Sequence, residues 1–333
     1  PLQLPRDNIK LDERSMEWRT TVMSRSSAGI VSVVALALTA CDDSESSQTL
    51  DVNEPANQQA VEALIQKTMD NMVFVEGGSF EMGDFGPIDP KAEGLPYSPH
   101  MDNKYLHTVT LDSYSIAAYQ VSYADYDIYT EATGQPKINT VGLEVEYRAP
   151  DVPAGVDWYQ ARDYCQWLAD QTGFPFTLPT EAQWEYAARS RGQFYPFGTE
   201  DGSYMKPGEN FPTREEIKSS TPSGQTGPHT IGLYPSNSLG VYQMGLNGLE
   251  WVSDWYDENY YSISPEENPT GPVSGEHKVE RGAPFSEGGR AMLVINRRKS
   301  NPNLIHTNPR GEEYQGSYRT STARCALQMK DPI

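Results

Sequence analysis

LPTEAQWEYAAR, residues 178–189, places a helix start and an aromatic pattern in one short run. Thr180 stands where a cap is needed and Gln183 where a side chain can reach back, the Thr-x-x-Gln form of a capping box. Trp184, Ala187 and Ala188 then recur at i, i+3 and i+4, which predicts one apolar face, with Glu181, Glu185 and Arg189 on the other. Such a helix must lay its apolar face on a larger body.

Short elements flank this helix in both directions. Residues 74–82 alternate apolar and polar side chains around Gly77-Gly78, which reads as strand, turn and strand, and residues 107–116 alternate likewise with Val109, Leu111 and Tyr114 inward. A helix is expected over residues 122–131, capped by Ser122 and Asp125 and stopped by Gly134 and Pro136. A second is expected over residues 158–170, with Asp157 as N-cap and Gly173 past its end. Residues 198–235 carry no periodicity and are rich in Gly, Pro, Ser and Thr, a long loop of the kind that is either functional or needs a staple such as a metal ion. There is no internal repeat.

With 333 residues, 37% of them hydrophobic, the chain has enough apolar material for one large domain. Its formal charge of -20 argues against a nucleic-acid backbone as partner. Residues 23–41, MSRSSAGIVSVVALALTAC, have an Arg25-containing start, an apolar stretch too short to span a bilayer, and small residues before a cysteine. The ending resembles a bacterial lipobox, which makes Cys41 the expected lipid anchor; the alternative is an ordinary signal peptide with an incidental cysteine. Multiple acyl chains on Cys41 hold a membrane firmly where one does not. Residues 1–22 precede this signal and are excluded from the fold, and residues 42–69 are assigned to a flexible tether. Asp42 and Asp43 resemble an inner-membrane retention signal of enteric bacteria, which leaves inner against outer membrane open without a known source.

Several runs, in the same order, resemble the formylglycine-generating enzyme (sulfatase-modifying factor) family. Besides LPTEAQWEYAAR they are FVEGGSFEMG at 74–83, HTVTLDSYSIAAYQVSYADY at 107–126, VDWYQARDYCQWL at 156–168, YPFG at 195–198, NSLGVYQMGLNGLEWVSDWY at 237–256 and ARCA at 323–326. The likeness covers residues 70–330. It implies an α+β domain, the formylglycine-generating-enzyme variant of the C-type lectin fold, with little regular structure. It also implies a disulfide between Cys165 and Cys325, where the residues alone leave open a pair of buried thiols. A calcium site would draw on Gln243, the carbonyls of Leu246 and Gly248, and Glu250, and a second on Asn210 and the carbonyl of Phe211. Ordinary turn hydrogen bonding is the alternative for Asn210 and Glu250. Trp251 and Trp255, with Tyr242 and Tyr256, suit core packing more than ligand stacking.

The chemistry turns on RGAPFSEGGRAMLVINRRKS, residues 281–300. Formylglycine formation in this family needs a copper-binding cysteine pair a few residues after an Arg-Gly-Gly-Ser run. Here Glu287 and Met292 fall at those places, and no cysteine lies between Cys165 and Cys325. Copper chemistry and formylglycine synthesis are therefore not expected. Glu287 is left as a lone acid or base. The expected function is a binding or scaffold component of a cell-envelope or secretion machinery, with residues 287–318 as a polar binding face or a plain solvated loop. The alternative is a cysteine-independent periplasmic oxidoreductase or modifying enzyme of the same family. Iron would serve such an enzyme through histidine ligands, but His100, His107, His229, His277 and His306 show no ligand spacing.

Overall fold

The computed structural model describes residues 55–307, 310–316 and 318–333, all within one compact unit. The leader assigned to residues 1–22, the signal segment 23–41, Cys41 and the tether up to residue 54 lie outside the described residues.

The helices are α1 (Pro55–Asp70), α2 (Tyr123–Ala132), α3 (Trp158–Thr172), α4 (Glu181–Ala188) and α5 (Arg214–Ser219). The strands, in chain order, are β1 (Met72–Val75), β2 (Gly78–Met82), β3 (His107–Leu111), β4 (Tyr114–Ala117), β5 (Phe176–Thr177), β6 (Gly248–Trp255), β7 (Lys278–Ala283), β8 (Arg297–Ser300), β9 (Ile305–Thr307), β10 (Glu313–Gln315), β11 (Ser321–Thr322) and β12 (Ala326–Leu327). One sheet has the order β1-β4-β12-β5 and another β11-β6-β7-β8, beside the separate pairs β2-β3 and β9-β10. Pairing is antiparallel except for β11 on β6. The mixture of short strands and helices is the expected α+β class.

The two expected strand pairs exist, but each turn moves the chain between sheets. β1 pairs with β4 and β2 with β3, so Gly77 and the Asp112-Ser113 corner are crossing points. A Cβ on Gly77 would sit 2.3 Å from the Leu111 carbonyl oxygen, which leaves room there for glycine alone. The α2 and α3 boundaries follow their caps. Ser122 accepts from the Asp125 amide, while Asp157 and Gln160 form a full capping box, and Gly173 ends α3 at φ 72°.

Two features differ from the sequence reading. Residues 55–69 are helical, not a tether, because Val61, Leu64 and Met69 form a helical stripe that packs on the core, with Leu64 buried. The Lys67 ammonium then pairs with Asp125 of α2 at 2.7 Å. The second difference is α4, buried on all sides, so Glu181, Glu185 and Arg189 do not face water.

The core has two main clusters. One surrounds the disulfide between Cys165 and Cys325 (Cα–Cα 5.7 Å), with Tyr126, Tyr129, Tyr164 and Trp251. The other fills the space between α4 and the sheets, with Trp184, Val109, Ile116 and Val252. Trp251 is wholly buried and its indole donates to the Val156 carbonyl at 2.9 Å, which fits the core role expected for it.

Candidate functional site

The polar side of α4 meets β7 and β8 in a buried charge lattice. Arg281 of β7 donates to Glu181 at 2.8 Å and to Glu185 at 2.8 Å, and its ring-facing side covers Trp184. Arg297 of β8 makes a two-pronged contact with Glu181, 2.9 Å on each oxygen. Arg189 holds Glu185 at 2.8 Å and the carbonyls of Glu81 and Gln193. Tyr261 donates to Glu181 as well, at 3.0 Å. Three guanidiniums thus face two carboxylates in a region closed to water, where a charge persists only with partners this close. Burial alone pushes the Glu181 carboxyl up, but Arg297 and Arg281 outweigh it and hold it below the ordinary range. Asp254 beside them is pushed up to about 7 by burial and by the charge of Glu181.

Above the lattice lies a cleft of about 370 Å³ lined by His100, Asp102, Glu287, Asn296, Arg298 and Lys299, with Arg297 and Gly282 at its floor. Gly282 takes φ 86°, a left-handed value that favours glycine, where β7 passes close to Gly245 and Gly248. Arg297 fixes the floor, donating to the Asp257 carbonyl at 3.0 Å, and Tyr256 donates to Asp102 at 2.9 Å. Glu287 is not a lone acid: it pairs with Arg298 at 2.9 Å across the mouth. Met292 is buried beside Met205, Leu246 and Ala283, away from that mouth.

A strap over residues 84–104 forms the opposite wall. Asp84 gathers it, accepting from the amides of Gly86, Tyr97 and Ser98 and from the Lys104 ammonium at 2.8 Å. Asn103 ties it to the Ile295 carbonyl at 3.0 Å. Sequence reading missed Asp84, Asp102 and Asn103, because side-chain to backbone contacts across so many residues leave no periodic signal. The LPTEAQWEYAAR run did contain the lattice carboxylates, and only their burial was invisible in it.

The residues carried over for calcium do not fit an open cage. Both Glu250 oxygens are taken, Oε2 by Arg324 at 2.6 Å and Trp184 at 2.8 Å, and Oε1 by Arg324 at 2.7 Å and Gln120 at 2.9 Å. Gln120 also donates to the Leu246 carbonyl, and the Gln243 amide oxygen accepts from the Gly232 amide. In the second set, the Asn210 side-chain oxygen accepts from the Lys206 amide and the Phe211 carbonyl from Gly208. Arg324 supplies the positive charge that Glu250 needs. Gly248 sits alongside in β6 with φ 155°, against Thr322.

The histidines stay apart. His100 lines the cleft, His107 packs at a tilt against Tyr261 with ring centroids 4.7 Å apart, His229 is buried edge-on to Phe211, His277 lies before β7, and the His306 side chain is outside the described residues. Among the described residues no group of three or more His, Cys, Asp or Glu side chains has the placement of a metal site. Both ring nitrogens of His229 lack partners, and burial holds it down at about 3. As pH falls below 6.5 the unfolded chain takes up a proton that the folded chain refuses. Stability is therefore expected to drop by about 1.4 kcal/mol per pH unit from this residue as pH falls from 6.5 towards 3. Urea midpoints taken between pH 6.5 and 4.5 check this: His229→Leu should lose that share of the slope, and an unchanged slope refutes it.

Residues 57–310 match the sulfatase-modifying factor enzyme 1-like domain family. The chain is 28% identical over 316 residues to the serine/threonine-protein kinase pkn1 of Chlamydia pneumoniae, covering 86% of this chain and 44% of that one. It spans less than half the length of that protein and of its two counterparts in Chlamydia trachomatis and Chlamydia caviae. To the formylglycine-generating enzyme of Streptomyces coelicolor it is 27% identical over 263 residues, 64% of this chain and 78% of the enzyme. Among solved structures, PvdO from Pseudomonas aeruginosa shares the fold, with a TM-score of 0.56 at 22% identity over 78% of this chain and 94% of that one. The match begins inside α1 and runs through both walls of the cleft, so helix, strap and charged floor are parts of one inherited domain, and the chain belongs to the formylglycine-generating-enzyme (FGE-sulfatase) family.

Proposed function

We propose that this chain is a lipid-anchored extracytoplasmic protein that uses the family's cleft to bind a cell-envelope partner and does not make formylglycine. One observation carries the catalytic half of this reading. Cys165 and Cys325 are locked to each other, and where the family's copper-binding pair would fall stand an ion-paired Glu287 and a buried Met292. A carboxylate held by Arg298 and a thioether in the core do not replace two thiolates, which are what hold copper(I) and capture a substrate cysteine. The cleft itself persists, with a rigid floor and a mixed-charge rim formed by Asp102, Glu287, Arg298 and Lys299. Such a rim suits recognition of a polar protein surface. The lipobox-like run that ends at Cys41 supports the placement at a membrane, and the structural disulfide suits an oxidising compartment.

The test uses purified protein, a cysteine-containing sulfatase-type peptide, copper and oxygen, with mass spectrometry of the peptide. No thiol-to-aldehyde conversion is expected, and conversion overturns the reading. Metabolic labelling with an alkyne fatty acid checks the anchor: label should enter the intact precursor and vanish in Cys41→Ala.

A further inference from the structure

The ridge formed by residues 288–293 has a second cavity on its other side, of about 340 Å³, lined by Leu95, Pro96, Tyr97, Phe197, Tyr204, Arg290 and Leu293. It is separate from the cleft that holds Glu287, and its chemistry is different. Its walls are apolar and aromatic: Phe197 and Tyr204 meet edge to face at 5.2 Å, and Tyr97 is held by a 2.7 Å bond to Asp89, which occupies its hydroxyl. Arg290 is the charged residue in this lining, exposed, and no ion pair or hydrogen bond joins its guanidinium to any described residue. Arg298 on the other side of the ridge is, by contrast, neutralised by Glu287.

A concave site of a few hundred Å³ with apolar walls and one convergent charge is the usual form of a small-molecule pocket. A free guanidinium beside aromatic rings selects a planar anion attached to an apolar body, because it can donate two parallel hydrogen bonds to a carboxylate. We propose that this cavity binds a small amphipathic carboxylate, its aryl or branched apolar part between Tyr97, Phe197 and Tyr204 and its carboxylate on Arg290. Retention of an unpaired cation is the more informative in a chain of charge -20, where acidic partners are plentiful. The strap that carries Leu95 and Tyr97 is pinned through Asp84 and Asn103, so the pocket is formed before a ligand arrives.

The experiment is saturation-transfer NMR and titration calorimetry on the full chain, with 3-phenylpropionate and its uncharged amide as probes. The acid should bind saturably and the amide about tenfold more weakly, the loss of one charge-assisted contact. Arg290→Gln should abolish that preference, Arg298→Gln should leave it intact, and Tyr204→Ala should weaken both probes alike. All three positions of substitution are exposed, so circular dichroism should be unchanged. Absence of saturable binding, equal binding of acid and amide, or a preference that survives Arg290→Gln or disappears with Arg298→Gln overturns the assignment. None of these outcomes bears on formylglycine synthesis, which is read separately on the peptide.

Discussion

Arg281→Met is expected to cost about 3–5 kcal/mol of folding stability, enough to leave much of the population unfolded at 37 °C. The side chain is wholly buried and holds Glu181 and Glu185 together, with a further bond to the Val294 carbonyl at 2.5 Å. Methionine fills a similar volume but leaves Glu185 with Arg189 as its one guanidinium, beside the Gly83 amide, and removes one of two guanidiniums from Glu181. Two carboxylates would then sit close together in a region without water, and the cost of that exceeds any loss of packing. Urea denaturation with the disulfide intact provides the measurement, and Arg298→Met is the control. Arg298 is also in an ion pair, but its side chain and that of Glu287 are 44% and 39% exposed, so its loss should change stability by less than about 1 kcal/mol. Equal effects at the two positions would contradict the lattice.

Removal of the disulfide should rank with this. The bond joins residues separated by 160 positions, and closing a loop of that length restricts the unfolded chain by about 5 kcal/mol in the chain-entropy account. Both cysteines are buried in the cluster of Tyr126, Tyr164 and Trp251, so Cys165→Ala with Cys325→Ala adds only small cavities. The melting temperature is expected to fall by on the order of 10 °C. A drop of a degree or two, measured by calorimetry on the oxidised wild type and the double variant, would show that the unfolded chain is already compact.

Local chemistry was legible in the sequence and long-range placement was not. The ends of α2, α3 and α4 were readable because Ser122, Asp157 and Thr180 satisfy amides within three residues of themselves. α1 was obscured because polar composition upstream drew attention away from Val61, Leu64 and Met69. The polar face of α4 invited a solvated reading, and nothing inside residues 178–189 reveals that Arg281 and Arg297, about a hundred positions away, come to meet it. Glu250 was recognisable as a residue with a cation to hold; that the cation is the guanidinium of Arg324 required the β11–β6 pairing, which sets residues 321 and 322 beside 249 and 250. Of the two positions named from the missing thiols, Glu287 lines the cleft and Met292 lies in the core, while the cavity around Arg290 had no motif to announce it.

β12 has a consequence for how the protein must be made. Ala326 and Leu327 lie between β4 and β5, so strands made early in synthesis are joined by one made very late. Until those two residues have left the ribosome, residues 114–117 and 176–177 have open edges, and until residue 325 has done so Cys165 lacks its disulfide partner. The domain cannot mature from its amino end forward. A holding factor, or rapid release of the finished chain, would guard the open edges, and a stop codon a few residues before 326 would be felt across the whole sheet.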